Sequence, residues 1–378
     1  MSRVYVIEEN GRTVQMSSVK CRDEEKELQK LLEQNYDLLP GDQIWPEDPR
    51  RWLLIKREMP VQDPGSGGSR WSIDFFFVDQ SGMPTFVECK RFSDTRSRRE
   101  VVGQMLEYAA NGHYYWSKEI IWEFASLTVK HQDVDLEDMI RSFEPESGDS
   151  VDAFFEMIEN NLHEGQIRLI FFMEESPWEL RSIVDFLNKQ MERSEVLIVE
   201  AKQYEKDGLR IVVPTLFGYT EQARRVKKSV TVTPSDQRKW NESEFFDETK
   251  KALKEDEVEA IQRLYDFSRS RGCEIKWGRG RETGSFSVLP SSLFPKTVLS
   301  VFTNGKIALS FGALKGNHLI ESFRDELANE ATNKLGFSLP HNFEKKYPEY
   351  VAEQWTPRVD ELMTVLGHLF DKHSEVRT

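Results

Sequence analysis

Ile73-Asp74-Phe75-Phe76-Phe77-Val78, then Gln80-Ser81-Gly82-Met83-Pro84, then Thr85-Phe86-Val87-Glu88-Cys89-Lys90 is the stretch on which the fold of this chain turns. Two short runs of aromatic and β-branched residues flank a Gly/Pro turn, the pattern of an antiparallel hairpin. Side chains alternate along a strand, so Glu88 and Lys90 share a face. With the turn centred near Ser81, Asp74 stands opposite Glu88, and opposed residues on one face have Cβ atoms about 4.5–5.5 Å apart. Two carboxylates and an ammonium therefore meet at the end of an apolar hairpin. Like charges beside Phe75-Phe76-Phe77 are costly unless a cation neutralises them. A hard divalent ion, Mg²⁺ or Mn²⁺, suits the place. Mg²⁺ takes oxygens at about 2.0–2.1 Å, commonly from one or two carboxylates, waters and a substrate phosphate. Asp74, Glu88 and the backbone carbonyl of Cys89 are the expected metal ligands. Lys90 is then placed to orient the attacking water and to stabilise charge developing on phosphate. A surface salt bridge from Glu88 to Lys90 is the competing reading, because Glu-x-Lys is a common string.

Outward from the hairpin, strand and helix signals alternate. Val4–Ile7 reads as a strand closed by Glu9-Asn10-Gly11-Arg12. Asp23–Leu39 reads as an amphipathic helix with Leu28, Leu31, Leu32 and Leu38/Leu39 on one side, ending near Pro40-Gly41. Trp52–Met59 precedes a breaker-rich loop, Asp63–Ser69. After Arg91–Arg99, the residues Val101, Val102, Met105, Leu106 and Ala109 recur at helical spacing. Residues 126–164 are acidic and weakly patterned, an expected helical or loop insertion. Ile167–Met173, Val196–Ala201 and Leu209–Pro214 read as strands and Pro177–Met191 as a helix, making residues 1–225 one α/β domain. The composition breaks at Arg224-Arg225-Val226-Lys227-Lys228. Residues 236–378 read as a second, α+β domain: helices at 241–254 and 256–271, a hairpin Val298–Phe311 turning at Asn304-Gly305, and helices at 317–335 and 357–372.

Of 378 residues, 51 are Lys or Arg and 65 are Asp or Glu, a formal charge of −14. That balance argues against a protein that coats nucleic acid by bulk attraction, since phosphate neutralisation needs bases. It leaves room for an enzyme with a local basic lining, and Arg70, Arg91, Arg96, Arg98 and Arg99 around the hairpin are the candidates for contacting phosphates. His113-Tyr114-Tyr115-Trp116 reads as core rather than a base-stacking platform. No run approaches 18 apolar residues, and Arg3, Glu8, Glu9 and Arg12 occupy the N-terminus, so neither export nor a membrane partner is expected. Cys21, Cys89 and Cys273 form no disulfide framework, which fits a cytoplasmic protein. The glycine-rich Gly278–Gly284 lacks a following Gly-Lys-Ser/Thr, so no nucleotide cofactor is expected.

Asp74 in Ile73-Asp74-Phe75-Phe76, followed by Phe86-Val87-Glu88-Cys89-Lys90-Arg91, resembles the core of the PD-(D/E)xK nuclease superfamily. Gln104-Met105-Leu106-Glu107-Tyr108 is similar to the Gln-x-x-x-Tyr helix of RecB-like members. Glu24–Asn35 is similar to the leading acidic helix of NucS-like endonucleases. The resemblance covers residues 23–116 well and 165–220 loosely. It implies an α/β restriction-endonuclease-like core, a mixed central sheet flanked by helices. It also implies a further metal ligand from the leading helix, with Glu25 first and Glu24 or Glu27 as alternatives. Gln104 would assist at the site and Tyr108 would approach the DNA backbone. The proline of the superfamily name is replaced by Ile73. The implied activity is metal-dependent hydrolysis of DNA phosphodiesters in prokaryotic repair, restriction or phage defence, with RNA as an alternative substrate. Two other readings stay open at this point: a non-catalytic nucleic-acid binder of nuclease fold, and a regulatory protein that binds proteins. A homodimer or a protein partner held by the C-terminal domain is compatible with each.

Overall fold

A computed structural model describes residues 3–62, 69–91, 97–130, 135–143, 150–218, 239–278, 280 and 283–375. The chain divides into two compact units, Met1–Asp133 with Asp152–Val232, and Val134–Val151 with Thr233–Thr378. The expected loop Asp63–Ser69, apart from Ser69, and the junction Arg224–Lys228 lie outside the described residues.

The first unit opens with a two-stranded ribbon, β1 (Tyr5–Ile7) and β2 (Thr13–Gln15), followed by β3 (Ser17–Val19). A wide π-helical turn at Glu24–Gln29 leads into α1 (Lys30–Gln34) and α2 (Gly41–Ile44). Three long strands come next: β4 (Trp52–Gln62), β5 (Ser69–Asp79) and β6 (Pro84–Lys90). Helices α3 (Ser97–Tyr115) and α4 (Lys118–Lys130) follow, then, after α5 (Leu136–Phe143) of the second unit, α6 (Val151–His163), β7 (Arg168–Met173), α7 (Trp178–Gln190), β8 (Glu195–Lys206) and β9 (Leu209–Phe217). The strands make a seven-stranded sheet, β4-β5-β6-β7-β8-β9, with β3 continuing the β7 edge of β8. Pairs β4/β5, β5/β6, β8/β9 and β3/β8 are antiparallel, and β6/β7 and β7/β8 are parallel. The fold is thus mixed α/β, a mixed central sheet flanked by helices.

The hairpin holds the expected register. Phe75 pairs with Val87 and Phe76 with Phe86, so one step further Asp74 faces Glu88. Its turn explains the register. Asp79 Oδ1 accepts the N–H groups of Ser81 and Met83 at 2.9 and 3.2 Å, and Gly82 adopts φ +63°, which only glycine takes without strain. Asp79 is itself fully buried and gripped by Arg168 at 2.9 Å, whose Nε donates to Glu195 at 2.5 Å. Phe75, Phe77, Val87 and Cys89 bury one face against Leu28, Leu32, Leu39 and Ile44. On the other face Trp116 stacks on Phe76 at 5.3 Å and meets Phe86 edge-on, which makes it core, as its composition suggested.

Two expectations are corrected. The helix over Asp23–Leu39 is broken after Gln34: Asn35 leaves the helical region at φ −144° and ψ 78°, its side-chain amide donates to the Leu31 carbonyl, and Tyr36 drops edge-on against Phe77. The acidic stretch 126–164 is no simple excursion. α4 buries Ala125 and Val129, with Thr128 donating to the Ile55 carbonyl of β4, and α6 buries Phe154, Phe155 and Ile158.

The second unit contains α8 (Glu242–Ala252), α9 (Glu255–Ser270), β10 (Glu274–Trp277), β11 (Ser285–Leu289), β12 (Leu299–Phe302) and β13 (Ile307–Leu309). It continues with α10 (His318–Asn333), β14 (Glu349–Tyr350), α11 (Ala352–Trp355) and α12 (Val359–Glu375). The five strands form an antiparallel sheet in chain order. The Asn304-Gly305 hairpin appears where the sequence placed it, with Gly305 at φ +81° and its carbonyl accepting from the buried Trp355 Nε1 at 2.9 Å. Helix α5 belongs to this unit: Asp138 pairs with Lys346, Arg141 pairs with Glu349, and Phe143 is buried. Among the described residues no helix is long and apolar enough to cross a membrane.

Candidate functional site

The site lies where β5 enters and β6 leaves the sheet. Strand alternation presents Asp74, Glu88 and Lys90 to one face, and the crossing helices close round them. Asp74 Oδ2 accepts the Cys89 N–H at 2.7 Å and its Oδ1 accepts Gln29 Nε2 at 2.8 Å. Glu88 is 2% exposed. Its Oε1 lies 2.9 Å from Lys90 Nζ, while its Oε2 is buried with no hydrogen-bond partner among the described residues. Cys89 points its thiol into the opposite core, so only its backbone can serve the site.

Charge is concentrated here. Burial first, then the charge of Glu88, pushes the Asp74 carboxyl up to about 7. Burial also raises Glu88, although Lys90 opposes it. Burial alone would depress the Lys90 ammonium, but Glu88 and Glu24 outweigh it and hold the group above the ordinary lysine range.

The leading helix contributes a different acid from the first expected. Glu24 Oε1 lies 3.5 Å from Lys90 Nζ and its Oε2 accepts the Arg91 N–H at 3.0 Å. Glu25 points outward, with its side chain 71% exposed, 3.9 Å from Arg57. Glu27 accepts from the Arg22 N–H. The π-helical turn accounts for this choice. It starts from Asp23, whose Oδ1 accepts the Lys26 N–H at 2.9 Å, and its wide pitch turns Glu24 and Gln29, five apart, toward the same side.

Helix α3 brings Gln104 and Tyr108 alongside, Gln104 donating to the Tyr108 hydroxyl. Burial, then Glu88, pushes the Tyr108 phenol up to about 12. Tyr108 is 1% exposed, buried beside the carboxylates whose charge reaches it. Arg91 borders the site, its guanidinium donating to the Arg22 carbonyl at 2.6 Å. Arg96 lies outside the described residues. Arg70 in β5 and Arg98 and Arg99 in α3 are placed by their backbone alone.

Beside the site, Arg22, Glu24, Glu25, Gln29, Glu58 and Arg91 line a cleft of about 430 Å³. Glu58, on β4 between Arg57 (paired with Phe75) and Met59 (paired with Ile73), is level with Asp74 and holds φ +51°, a strained conformation for a side-chain-bearing residue. Nothing in the local pattern marked Gln29, Arg57 or Glu58. Each joins the site from a part of the chain more than ten residues from Asp74.

Among the described residues no three His, Cys, Asp or Glu side chains converge as a ready ligand set. The fit to a divalent ion rests, among the described residues, on a Glu88 Oε2 without a hydrogen bond and on two buried carboxylates beside the Lys90 ammonium, a donor set of hard oxygens. Comparison with protein-family models, with curated proteins and with solved structures finds no match.

Proposed function

We propose that this protein is a Mg²⁺- or Mn²⁺-dependent phosphodiesterase that hydrolyses the DNA backbone, with a restriction-endonuclease-like first unit working in a reducing, cytoplasmic setting. One observation carries the reading. Asp74 and Glu88 face each other on adjacent strands, both raised by burial, and the buried Glu88 Oε2 makes no hydrogen bond among the described residues. A buried carboxylate oxygen left without a partner is costly, and a cation relieves that cost. Asp74, Glu88 and the Cys89 carbonyl would hold the ion, with Glu24 within reach of the same ammonium. A bound divalent ion supplies Lewis-acid polarisation of the phosphate and acidifies water. Lys90, 2.9 Å from Glu88, orients the incoming water and offers positive charge to the phosphate oxygens as charge develops there. Arg91 and the neighbouring arginines would seat the backbone. The phosphodiester P–O bond breaks as water oxygen bonds to phosphorus, and the leaving oxygen departs with a proton.

The test incubates the full chain with plasmid, single-stranded, flapped and mismatched DNA and with RNA, in Mg²⁺, Mn²⁺ or EDTA. DNA cleavage that requires a divalent ion and is lost in Asp74→Ala, Glu88→Ala and Lys90→Ala is expected. Wild type that cuts no substrate, or three variants that cut like wild type, overturns the reading.

A further inference from the structure

Asp74 sits at the end of a chain of side chains that metal binding and water activation leave unused. Gln29 Nε2 donates to Asp74 Oδ1 at 2.8 Å. Arg57 NH2 donates to Gln29 Oε1 at 3.1 Å, and Arg57 NH1 donates to Glu33 Oε2 at 2.8 Å. Gln29 is 6% exposed, a polar side chain beside Leu28 and near Leu32 on a face otherwise given to core leucines.

An amide has two ends of opposite sign. Turned one way it donates to a carboxylate, and turned the other way it sets an oxygen against it. Arg57 removes the ambiguity, because a guanidinium only donates: it must take the Gln29 oxygen, which leaves the Gln29 NH₂ for Asp74. The strand backbone holds the other Asp74 oxygen through the Cys89 N–H. Both oxygens are therefore oriented before any ion arrives, and Glu33 in turn holds the guanidinium.

Resting on the metal-site reading above, we propose that Gln29 and Arg57 act in series as positioning residues for Asp74, and that this relay sets the affinity of the site for a divalent cation. Outer partners that orient a ligand typically change metal affinity by about 10- to 100-fold when removed. A buried glutamine that merely satisfies its own hydrogen bonds would change stability instead.

The experiment is titration calorimetry of the full chain with Mn²⁺, alongside melting temperatures in EDTA. The chains compared are wild type, Asp74→Ala, Gln29→Met, Arg57→Met and the Gln29→Met/Arg57→Met double variant. Methionine keeps the volume at Gln29. Gln29→Met is expected to weaken Mn²⁺ binding by about 10-fold or more at a temperature where its EDTA melting curve shows it fully folded. Arg57→Met is expected to weaken it several-fold, and the double variant to bind no worse than Gln29→Met, because the two residues act through one contact. Gln29→Met binding within twofold of wild type, or losses that multiply in the double variant, overturns the relay. If Gln29→Met does not fold, Arg57→Met and Arg57→Lys decide. A loss in the first that is partly restored in the second supports the relay, and wild-type affinity in both overturns it. The metal-site reading fails separately, and takes the relay with it, when wild type binds no Mn²⁺ or Asp74→Ala binds it as well as wild type.

Discussion

Asp74 and Glu88 are buried together against their electrostatic preference, and that has a measurable sign. A carboxyl raised from its usual value to about 7 binds a proton more tightly folded than unfolded. Its favourable contribution is complete below the unfolded value of about 4 and is lost as pH rises through about 7. The metal-free protein should therefore lose more melting temperature between pH 5.5 and pH 8 than Asp74→Ala does. The rise in melting temperature given by Mn²⁺ should grow over the same interval, because the ion replaces the proton. A Mn²⁺ increment equal at both pH values, followed by differential scanning fluorimetry, would contradict this. At the same scale, Lys90→Ala removes the ammonium 2.9 Å from Glu88. Cleavage should fall by about 10²–10³-fold, read from single-turnover rates, as for other losses of one charge-stabilising group. Asp74, Glu88 and Lys90 were legible because a two-residue period and a short turn place them. Glu24 was legible only as one of three neighbouring acids, since a regular helix and a π-helical turn present different members of Glu24-Glu25-Lys26-Glu27 to the same point.

The β5–β6 hairpin is the element that brings the two carboxylates face to face, and its turn guards the register. A one-residue slip would carry Glu88 to the opposite face of the sheet. Gly82→Val places a branched side chain at φ +63°, with its Cβ 2.9 Å from Met157, and should cost about 1–3 kcal/mol in urea unfolding. Arg168→Met is expected to cost more. It removes the closer of the two guanidiniums beside Asp79, which burial would raise but Arg50 and Arg168 hold low, and it takes the Arg168 donor from Glu195. Breaking a buried ion pair typically costs about 3–5 kcal/mol. An urea midpoint for Arg168→Met within error of wild type would show that the network is dispensable. The strands were readable in sequence because apolar runs and turn residues carry their own period. The break at Asn35 was not, because it depends on Tyr36 finding Phe77 in another element.

For the whole molecule, the formal charge of −14 and the chain's path between units both have consequences. Bulk attraction to DNA should be absent, so fluorescence polarisation of labelled DNA with Lys90→Ala should show binding in Mg²⁺ and none in EDTA at the same ionic strength. Binding in EDTA that falls steeply with salt would instead indicate a basic surface acting alone. The second unit takes α5 from the middle of the first, so a fragment beginning at residue 236 lacks the Asp138–Lys346 and Arg141–Glu349 pairs and the buried Phe143. Fusing residues 134–151 to that fragment should raise its melting temperature, and no change would mean that α5 contributes nothing to this unit's stability. A boundary drawn from composition alone missed that contribution, because acidic residues such as Asp138 look solvated until their lysine is known. The sequence by itself determined the alternation of strands and helices, the hairpin register and the meeting of Asp74, Glu88 and Lys90, since those follow from chain geometry within some sixteen residues. Only the tertiary structure decided that Glu24 joins them, that Gln29 and Arg57 orient Asp74, that Tyr108 is buried beside the carboxylates and that α5 serves the second unit. Those contacts join residues tens to hundreds of positions apart, and no local period in the chain encodes them.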